Sequence, residues 1–179
     1  MFCFLSFGAG AQEEKVQKIR FQSSLRAGVL EGDAGSAFQM NMVNGFRFKT
    51  FSAGIGAGLD YYAIRSIPVF LELRKDIFSS GKTPFLYASG GRHFEWAEPM
   101  EENQWTKSTF EDGWFYDLGI GYSIPIKSHS IFFTAGYSYK DYKEKVENYV
   151  MCIWGDCPVF NETFSYKLRR ISIRTGFRF

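Results

Sequence analysis

The stretch RRISIRTGFRF, from Arg169 to Phe179, alternates between two kinds of side chain and ends on a phenylalanine. One set is Ile171, Ile173, Thr175, Phe177 and Phe179, and the other set is Arg170, Ser172, Arg174, Gly176 and Arg178. Successive side chains of a β-strand point to opposite faces, so this period of two predicts a strand with one apolar and one cationic face. Such a strand fits a barrel that meets lipid on its outside and holds charged groups on its inside.

The composition is compatible with a single membrane-embedded β domain. The chain has 179 residues, which predicts one domain, and it contains 20 Phe, 10 Tyr and 18 Gly. Its net charge is only +2 and it has no tract of lysine or arginine, so we expect no nucleic-acid partner. Charged residues interrupt every apolar run well before the ~18 residues that a transmembrane helix needs.

The same alternation recurs in three further segments. Residues 50–62 are the clearest, because Ser52, Gly54, Gly56, Gly58 and Asp60 alternate with apolar side chains. Residues 113–124 and 131–142 follow the same pattern, with Ile120 facing outward and Asp117 inward in the first of them. Weaker alternation marks residues 19–30, 36–44, 67–75 and 84–96, where Gly90-Gly91 is a candidate for a bulge. With the terminal strand, the chain is predicted to form a closed, eight-stranded, antiparallel up-and-down transmembrane β-barrel.

The predicted connections alternate between two ends of this barrel. We place 43–45, 76–83 and 125–130 at one end, and 31–35, 63–66, 97–112 and 143–163 at the other. An even number of strands puts both termini at the first end, which the topology of bacterial barrels assigns to the periplasm. The two long connections, 97–112 and 143–163, would then lie outside the cell.

The chain resembles the small eight-stranded barrels of the porin-like outer-membrane superfamily over residues 15–179. The resemblance rests on Ser66 to Arg74 (SIPVFLELR), Pro84 to Gly91 (PFLYASGG), Phe51 to Tyr62 (FSAGIGAGLDYY) and the terminal Phe179. It implies the outer membrane of a Gram-negative bacterium as the location, outer-membrane lipid as the surroundings, and Phe179 as a signal read by the barrel-assembly machinery. This superfamily includes adhesins, enzymes and inert structural proteins, so the fold does not determine the activity.

The N-terminal residues read as a processing segment. Residues 1–11 hold a short apolar stretch that ends in Ala9-Gly10-Ala11, which resembles a signal-peptide cleavage site. We therefore expect residues 1–11 to be the remnant of a signal peptide and residues 12–179 to be the barrel domain. A basic segment before the apolar stretch is missing, and a buried N-terminal strand is the alternative.

Few residues suggest chemistry. Cys152 and Cys157 are predicted to form a disulfide, because two nearby cysteines outside the cytoplasm usually pair and their spacing fits neither a redox nor a metal motif. Ser128-His129-Ser130 is interpreted as a turn and His93 as a structural histidine. No catalytic residue, cofactor or metal site is predicted, and the acidic segment from Glu95 to Asp112 lacks the spacing of a calcium loop.

Charged residues on the inward face are the main candidate site. We expect an ion-pair network in the lumen, and its members are Asp60, Glu72, Arg74, Asp117, Arg170 and Arg174. Arg20, Arg26 and Lys140 have the same phase. A network that fills a narrow barrel is favoured over a lining for an anion-selective pore.

Three hypotheses of function follow. The leading one is a non-enzymatic structural or adhesive outer-membrane barrel that meets an extracellular partner through connections 97–112 and 143–163. A membrane-embedded enzyme acting on lipid or peptide is the second hypothesis, and a small anion-selective pore is a further alternative. A soluble ligand-binding barrel would require apolar residues inside, whereas the predicted inward set is glycine, serine and arginine.

Overall fold

The computed structural model describes residues 19–79, 81–96, 106–149 and 159–179. These residues contain nine strands, which are β1 (Arg20–Gly32), β2 (Gly35–Phe48), β3 (Phe51–Asp60), β4 (Ser66–Asp76), β5 (Thr83–Glu95), β6 (Thr106–Glu111), β7 (Gly113–Ile126), β8 (His129–Tyr149) and β9 (Val159–Arg178). All strands except β6 form a ring of eight, in which each strand pairs antiparallel with the next and β9 pairs with β1. The predicted closed barrel is confirmed.

Helices play no part in the described fold. No helix among the described residues is long and apolar enough to cross a bilayer.

The two faces of the barrel follow the sequence alternation. In β3, Ser52, Gly56 and Asp60 are buried, whereas the intervening Ile55 is 63% exposed. The same holds in the other ring strands, whose exposed apolar side chains include Leu25, Val29, Phe38, Met42, Val69, Leu71, Leu73, Leu86, Leu118, Ile120, Phe133, Ile171 and Ile173. Polar and aromatic side chains fill the inside. The exposed face is therefore apolar, and the interior contains both polar and aromatic side chains.

Strands β6 and β7 are consecutive and pair with the same strand, β8. A bulge separates the two. Strand β8 pairs with β7 as far as Phe115↔Lys140 and with β6 from Glu111↔Lys143, so three residues (112–114) face two (141–142). One extra residue in one strand is the definition of a β-bulge. The backbone N–H of Trp114 donates to Asp141 Oδ1 at 2.6 Å within it. The proposed bulge at Gly90-Gly91 is absent, because β4 and β5 pair without interruption from Ser66↔Glu95 to Asp76↔Phe85.

The strands are longer than predicted at both ends of the barrel. Strand β2 continues through residues 43–45, where the sequence predicts a turn, and reaches Phe48. The turn lies at residues 49–50, where Lys49 adopts a φ of 56°, and a second lysine, Lys127, has a φ of 55° in the connection 127–128. Lysine is not a typical residue for such backbone angles, so the sequence carries no clear turn signal here.

The expectation that connections 97–112 and 143–163 are loops is wrong for much of their length. Residues 106–111 form β6, residues 143–149 continue β8, and residues 159–163 begin β9. Strands β8 and β9 stay paired from Ser130↔Arg178 to Tyr149↔Val159, far past the last pair of β9 with β1, Gly32↔Arg170. Polar side chains occupy the outward positions there, so the apolar–polar contrast that marks a strand disappears while the backbone pairing continues.

The barrel thus has two unlike ends. The tight-turn end carries the connections 49–50, 77–82 and 127–128 together with the C-terminal residue Phe179. The opposite end carries the extension, defined as β6, residues 141–149 of β8 and residues 159–169 of β9.

Candidate functional site: the charged lumen and the extension

The lumen contains four groups of charged residues stacked between the two ends. Nearest the extension, Arg170 Nη1 lies 2.5 Å from Asp60 Oδ2, and Arg170 Nη2 donates to Ser138 Oγ at 2.8 Å. Beside this pair, Lys140 Nζ donates to Ser66 Oγ at 2.7 Å and to the carbonyl oxygen of Ile64 at 2.9 Å. Each cation is therefore held by oxygen atoms from other parts of the barrel wall.

The second group is centred on Arg174, which pairs with Asp117. Arg174 Nη2 donates to the hydroxyl of Tyr87 at 2.6 Å, and that hydroxyl donates to Asp117 Oδ1 at 3.1 Å. Arg174 Nη1 donates to Gln39 Oε1 at 3.1 Å. All four side chains are buried, so this hydrogen-bonded group crosses the middle of the lumen.

The third group joins Arg26 to Glu72. Arg26 Nη2 lies 2.6 Å from Glu72 Oε2, and Ser89 Oγ donates to the same oxygen at 3.0 Å. The guanidinium of Arg26 lies 5.6 Å from the ring centres of both Phe70 and Tyr87. Aromatic faces attract cations, so these rings stabilise an arginine that has little access to water.

The fourth group, at the tight-turn end, gathers three arginines around Asp76. Arg47 Nη2 lies 2.6 Å from Asp76 Oδ2, Arg74 Nε lies 3.0 Å from Oδ1, and Arg178 Nη1 lies 4.0 Å from Oδ2. The sequence predicts that Asp76 lies in a connection, and this group was not predicted. The available signal is the period of two, which puts Asp76 on the same face as Glu72 and Arg74.

The six residues predicted for the lumen network are all buried, and they are distributed over the four groups. The structure pairs Arg74 with Asp76 and pairs Glu72 with Arg26. Arg20, which shares the inward phase, is exposed at the first residue of β1. The lumen therefore contains separate layers of charge, each with its own carboxylate.

The histidines take structural positions. His93 is fully buried, and its Nε2 lies 2.5 Å from the backbone oxygen of Asp141. His129 is exposed next to the turn and its ring packs 5.3 Å from the ring of Phe177, while Ser130 Oγ accepts a hydrogen bond from Arg178 Nε at 2.9 Å. His129 and Ser130 therefore contact different residues, Phe177 and Arg178 respectively.

The extension presents aromatic and charged side chains beyond the ring. The ring of Tyr142 stacks on Tyr166 at 4.9 Å and meets Phe110 edge-on at 6.2 Å. Lys145 pairs with Glu111, and this hydrogen bond and the nearby positive charge hold the pKa of Glu111 below its usual value. A cavity of about 320 Å³ lies at the bulge, where Trp114, Asp141 and Tyr142 meet. The extension thus has a packed aromatic centre with charged edges.

The predicted disulfide and the predicted processing segment are not part of the described structure. Cys152, Cys157 and residues 1–11 all lie outside the described residues. Within the described part of the chain, no group of three or more His, Cys, Asp or Glu side chains could hold a metal ion.

Several solved structures of outer-membrane barrels have a similar fold to this chain. Neisserial surface protein A has 14% identity and a TM-score of 0.54, over 89% of this chain and 95% of that chain. The N-terminal β-barrel domain of Pseudomonas aeruginosa OprF has 10% identity and a TM-score of 0.50, over 88% and 97%. A major outer membrane protein from Thermus thermophilus has 10% identity and a TM-score of 0.52, over 90% and 99%.

At such identities the likeness shows the fold alone, which is that of small eight-stranded outer-membrane β-barrels. No protein-family model matches the chain, and no curated protein matches its sequence.

Proposed function

We propose that this protein is a non-enzymatic, integral outer-membrane barrel of a Gram-negative bacterium, structural or adhesive in role. The observation that carries the proposal is an apolar surface on every ring strand around a lumen of paired charges. Lipid is the solvent that favours this arrangement, since a barrel in water would place its apolar side chains inside. Closure of the ring also leaves no unpaired strand edge in the apolar zone.

Cation–aromatic pairs mark both borders of this apolar surface. At the extension end, Arg65 lies over Tyr61 and Arg92 over Trp114, each 6.0 Å from the ring centre. At the tight-turn end, Lys75 lies 3.5 Å from the ring centre of Phe51. Aromatic rings and long cationic side chains are typical of the two membrane–water interfaces. Strand β3 begins at Phe51 and ends at Asp60, directly before Tyr61. Its 10 residues are close to the ~9–11 residues of a tilted strand that crosses a bilayer.

The orientation in the proposal puts the tight-turn end and both termini in the periplasm, with the extension outside. Short connections on one side and long ones on the other are typical of outer-membrane barrels. Phe179 then lies at the periplasmic border, where the assembly machinery is proposed to read it. Cys152 and Cys157 would lie outside the cell, where a disulfide is stable.

The extension is the proposed contact surface for an extracellular partner. Its described part has exposed Phe164 and Tyr166 on one face and the exposed, cationic Lys143 and Lys167 on the opposite face. Exposed aromatic side chains on a rigid support are common in binding surfaces. The described parts of the predicted connections 97–112 and 143–163 belong to this surface, because they form β6 and the ends of β8 and β9.

Two measurements test membrane insertion and orientation. The chain refolded in detergent should run as a compact band on a denaturing gel and shift after heating, whereas a chain that folds in water without detergent would contradict the proposal. On intact cells, an amine reagent that cannot cross membranes should modify Lys143 and Lys167. Lys49 and Lys75, at the other end, should react only after the membrane is opened, and the reverse order would overturn the orientation.

A further inference from the structure

A small cavity lies inside the lumen at the tight-turn end. It has a volume of about 20 Å³, and its walls include the side chains of Arg26, Arg74 and Arg178, with Glu72 as the carboxylate among them. A cavity needs roughly 10–15 Å³ of this kind of volume to hold one water molecule. The space therefore suits one or two particles the size of a water molecule.

Positive charge exceeds negative charge around this cavity. Its lining holds three arginines, Arg26, Arg74 and Arg178, and one carboxylate, Glu72. Asp76 and Arg47, which pair with each other, lie next to this lining. Glu72 is already engaged by Arg26 and Ser89, and Asp76 is shared among the other three arginines. Buried charge without a partner is costly, so this excess favours an additional anion.

Nitrogen atoms at the cavity also lack hydrogen-bond partners within the described chain. They are Arg26 Nε, Arg74 Nη2 and Arg178 Nη1. Arg26 is 3% exposed and Arg74 is 6% exposed, so bulk water cannot satisfy these groups freely. The guanidinium of Arg74 is held in place by stacking 3.4 Å from the ring centre of Phe85. Donors that are buried, charged and fixed form the kind of site that binds a small anion.

We propose that this cavity binds a monatomic anion of the halide class, with chloride as the physiological form. Arg26, Arg74 and Arg178 donate to it, and the anion offsets the positive charge that Glu72 and Asp76 leave uncompensated. The small volume favours a monatomic anion over phosphate and organic carboxylates. The site lies within the barrel and does not depend on which side of the membrane the tight-turn end occupies.

The test compares chloride with gluconate at constant ionic strength, using the full chain refolded in detergent. A ligand that binds only the folded state stabilises that state. The stabilisation grows with the logarithm of the ligand concentration once that concentration exceeds the dissociation constant. We expect the temperature of half-conversion in the gel heat-shift assay to rise by several degrees as chloride replaces gluconate. Constant ionic strength removes general screening from the comparison.

Two variants give the matched control. Arg74→Gln should lose most of the chloride dependence, whereas Arg92→Gln, which removes an exposed outward arginine, should keep it. Equal stability of the wild-type protein in chloride and gluconate would overturn the proposal, as would an unchanged dependence in Arg74→Gln.

A second measurement needs only the wild-type chain, in case Arg74→Gln does not fold. Crystals grown with bromide in place of chloride should show an anomalous peak in contact with Arg26 and Arg74. A cavity that contains only water in such crystals would overturn the proposal.

Discussion

Arg170 and Asp60 lie 110 residues apart in the sequence, yet Nη1 and Oδ2 are 2.5 Å apart across the lumen. Arg170 belongs to β9 and Asp60 to β3, which are separated in the ring by β1 and β2. Both residues are at most 1% exposed. The pair therefore connects strands that share no backbone hydrogen bonds, and it holds the barrel together across its interior.

Breaking this pair should strongly destabilise the barrel. Asp60→Asn leaves Arg170 as a buried cation without its carboxylate, and losing one partner of a buried pair typically costs about 3–5 kcal/mol. The double variant Asp60→Asn/Arg170→Gln should cost less than the sum of the single variants, because neither charge is left alone. Urea unfolding in lipid vesicles measures both effects.

The exposed pair Glu111–Lys145 is the matched control for this prediction. Its members lie in the extension and are open to water, so Glu111→Gln should change stability far less than Asp60→Asn. Similar losses in the two variants would mean that burial of the Arg170–Asp60 pair has no special importance.

Charge on the outward face should be costly only within the apolar zone. Ile55 and Ile120 are 63% and 62% exposed at the middle of their strands, so arginine at either position is expected to cost ~2–4 kcal/mol in a bilayer. Asn161→Arg in the extension has the same outward phase and should cost little, because water surrounds it. Refolding yield in vesicles compares the three variants.

Spin labels provide an independent check of the two faces. Labels at Ile55 and Ile120 should report contact with oxygen dissolved in hydrocarbon, whereas labels at Ser52 and Ser123 should not. Oxygen contact at the two serine positions would show that the membrane does not surround this barrel.

The face of each strand could be predicted from the sequence because burial repeats with a period of two. Residues 51–61 show this best, since lipid on one side and a narrow lumen on the other allow opposite residue types. Strand β5 keeps a single phase along its length, with Leu86, Ala88 and Phe94 outward. The alternation of apolar and polar residues within a strand indicates which side chains face outward and which face the lumen, and every ring strand shows it.

The ends of strands and the partners of charges could not be predicted in the same way. The turn at Lys49 has no typical turn residue. In the extension the outward side chains are polar because water replaces lipid, so the apolar–polar alternation fades before the strands end. Partners such as Arg170 and Asp60 depend on how far each strand is shifted relative to its neighbours. That shift accumulates around the ring and is not encoded in any single segment.

Inward glycines should be intolerant of a side chain where a Cβ would meet neighbouring backbone atoms. A Cβ at Gly121 would overlap the tip of the Phe85 ring and lie 2.6 Å from the backbone oxygen of Phe133. Gly121→Ala should therefore lower stability markedly, because backbone cannot move away as a flexible side chain can. The control is Gly90→Ala on the outward face, where the nearest atom is Tyr116 Cδ1 at 3.5 Å and no loss is expected. Heat-shift temperatures of the two variants test this difference.

Phe179 should matter more for assembly in cells than for the stability of the folded barrel. Its backbone N–H and C=O both bond to Ser23 at 2.9 Å, and its side chain is largely exposed. Phe179→Ala retains these backbone bonds and removes only the aromatic ring. We expect lower insertion in cells but nearly normal refolding in detergent. Equal losses in both assays would indicate a packing role, consistent with the neighbouring Phe177 ring at 6.1 Å.

The lumen should not conduct ions in a steady manner. Eight strands enclose barely enough space for side chains, and the Arg174–Asp117–Tyr87 set crosses the middle of the barrel. We therefore expect no stable current steps from the wild-type protein in planar bilayers. Large, stable, anion-selective steps would instead identify the arginines as the lining of a pore.

Glu72→Ala tests whether the same charges close the lumen and stabilise it. Removing this carboxylate leaves Arg26 without its partner at 2.6 Å, so thermal stability should fall strongly. Glu31→Ala, which removes an exposed carboxylate from the outward face of β1, should have a much smaller effect. Loss of stability in Glu72→Ala together with a silent wild-type bilayer supports a structural network. Unchanged stability in Glu72→Ala, combined with conduction by the wild-type protein, would show that these charges serve ion passage.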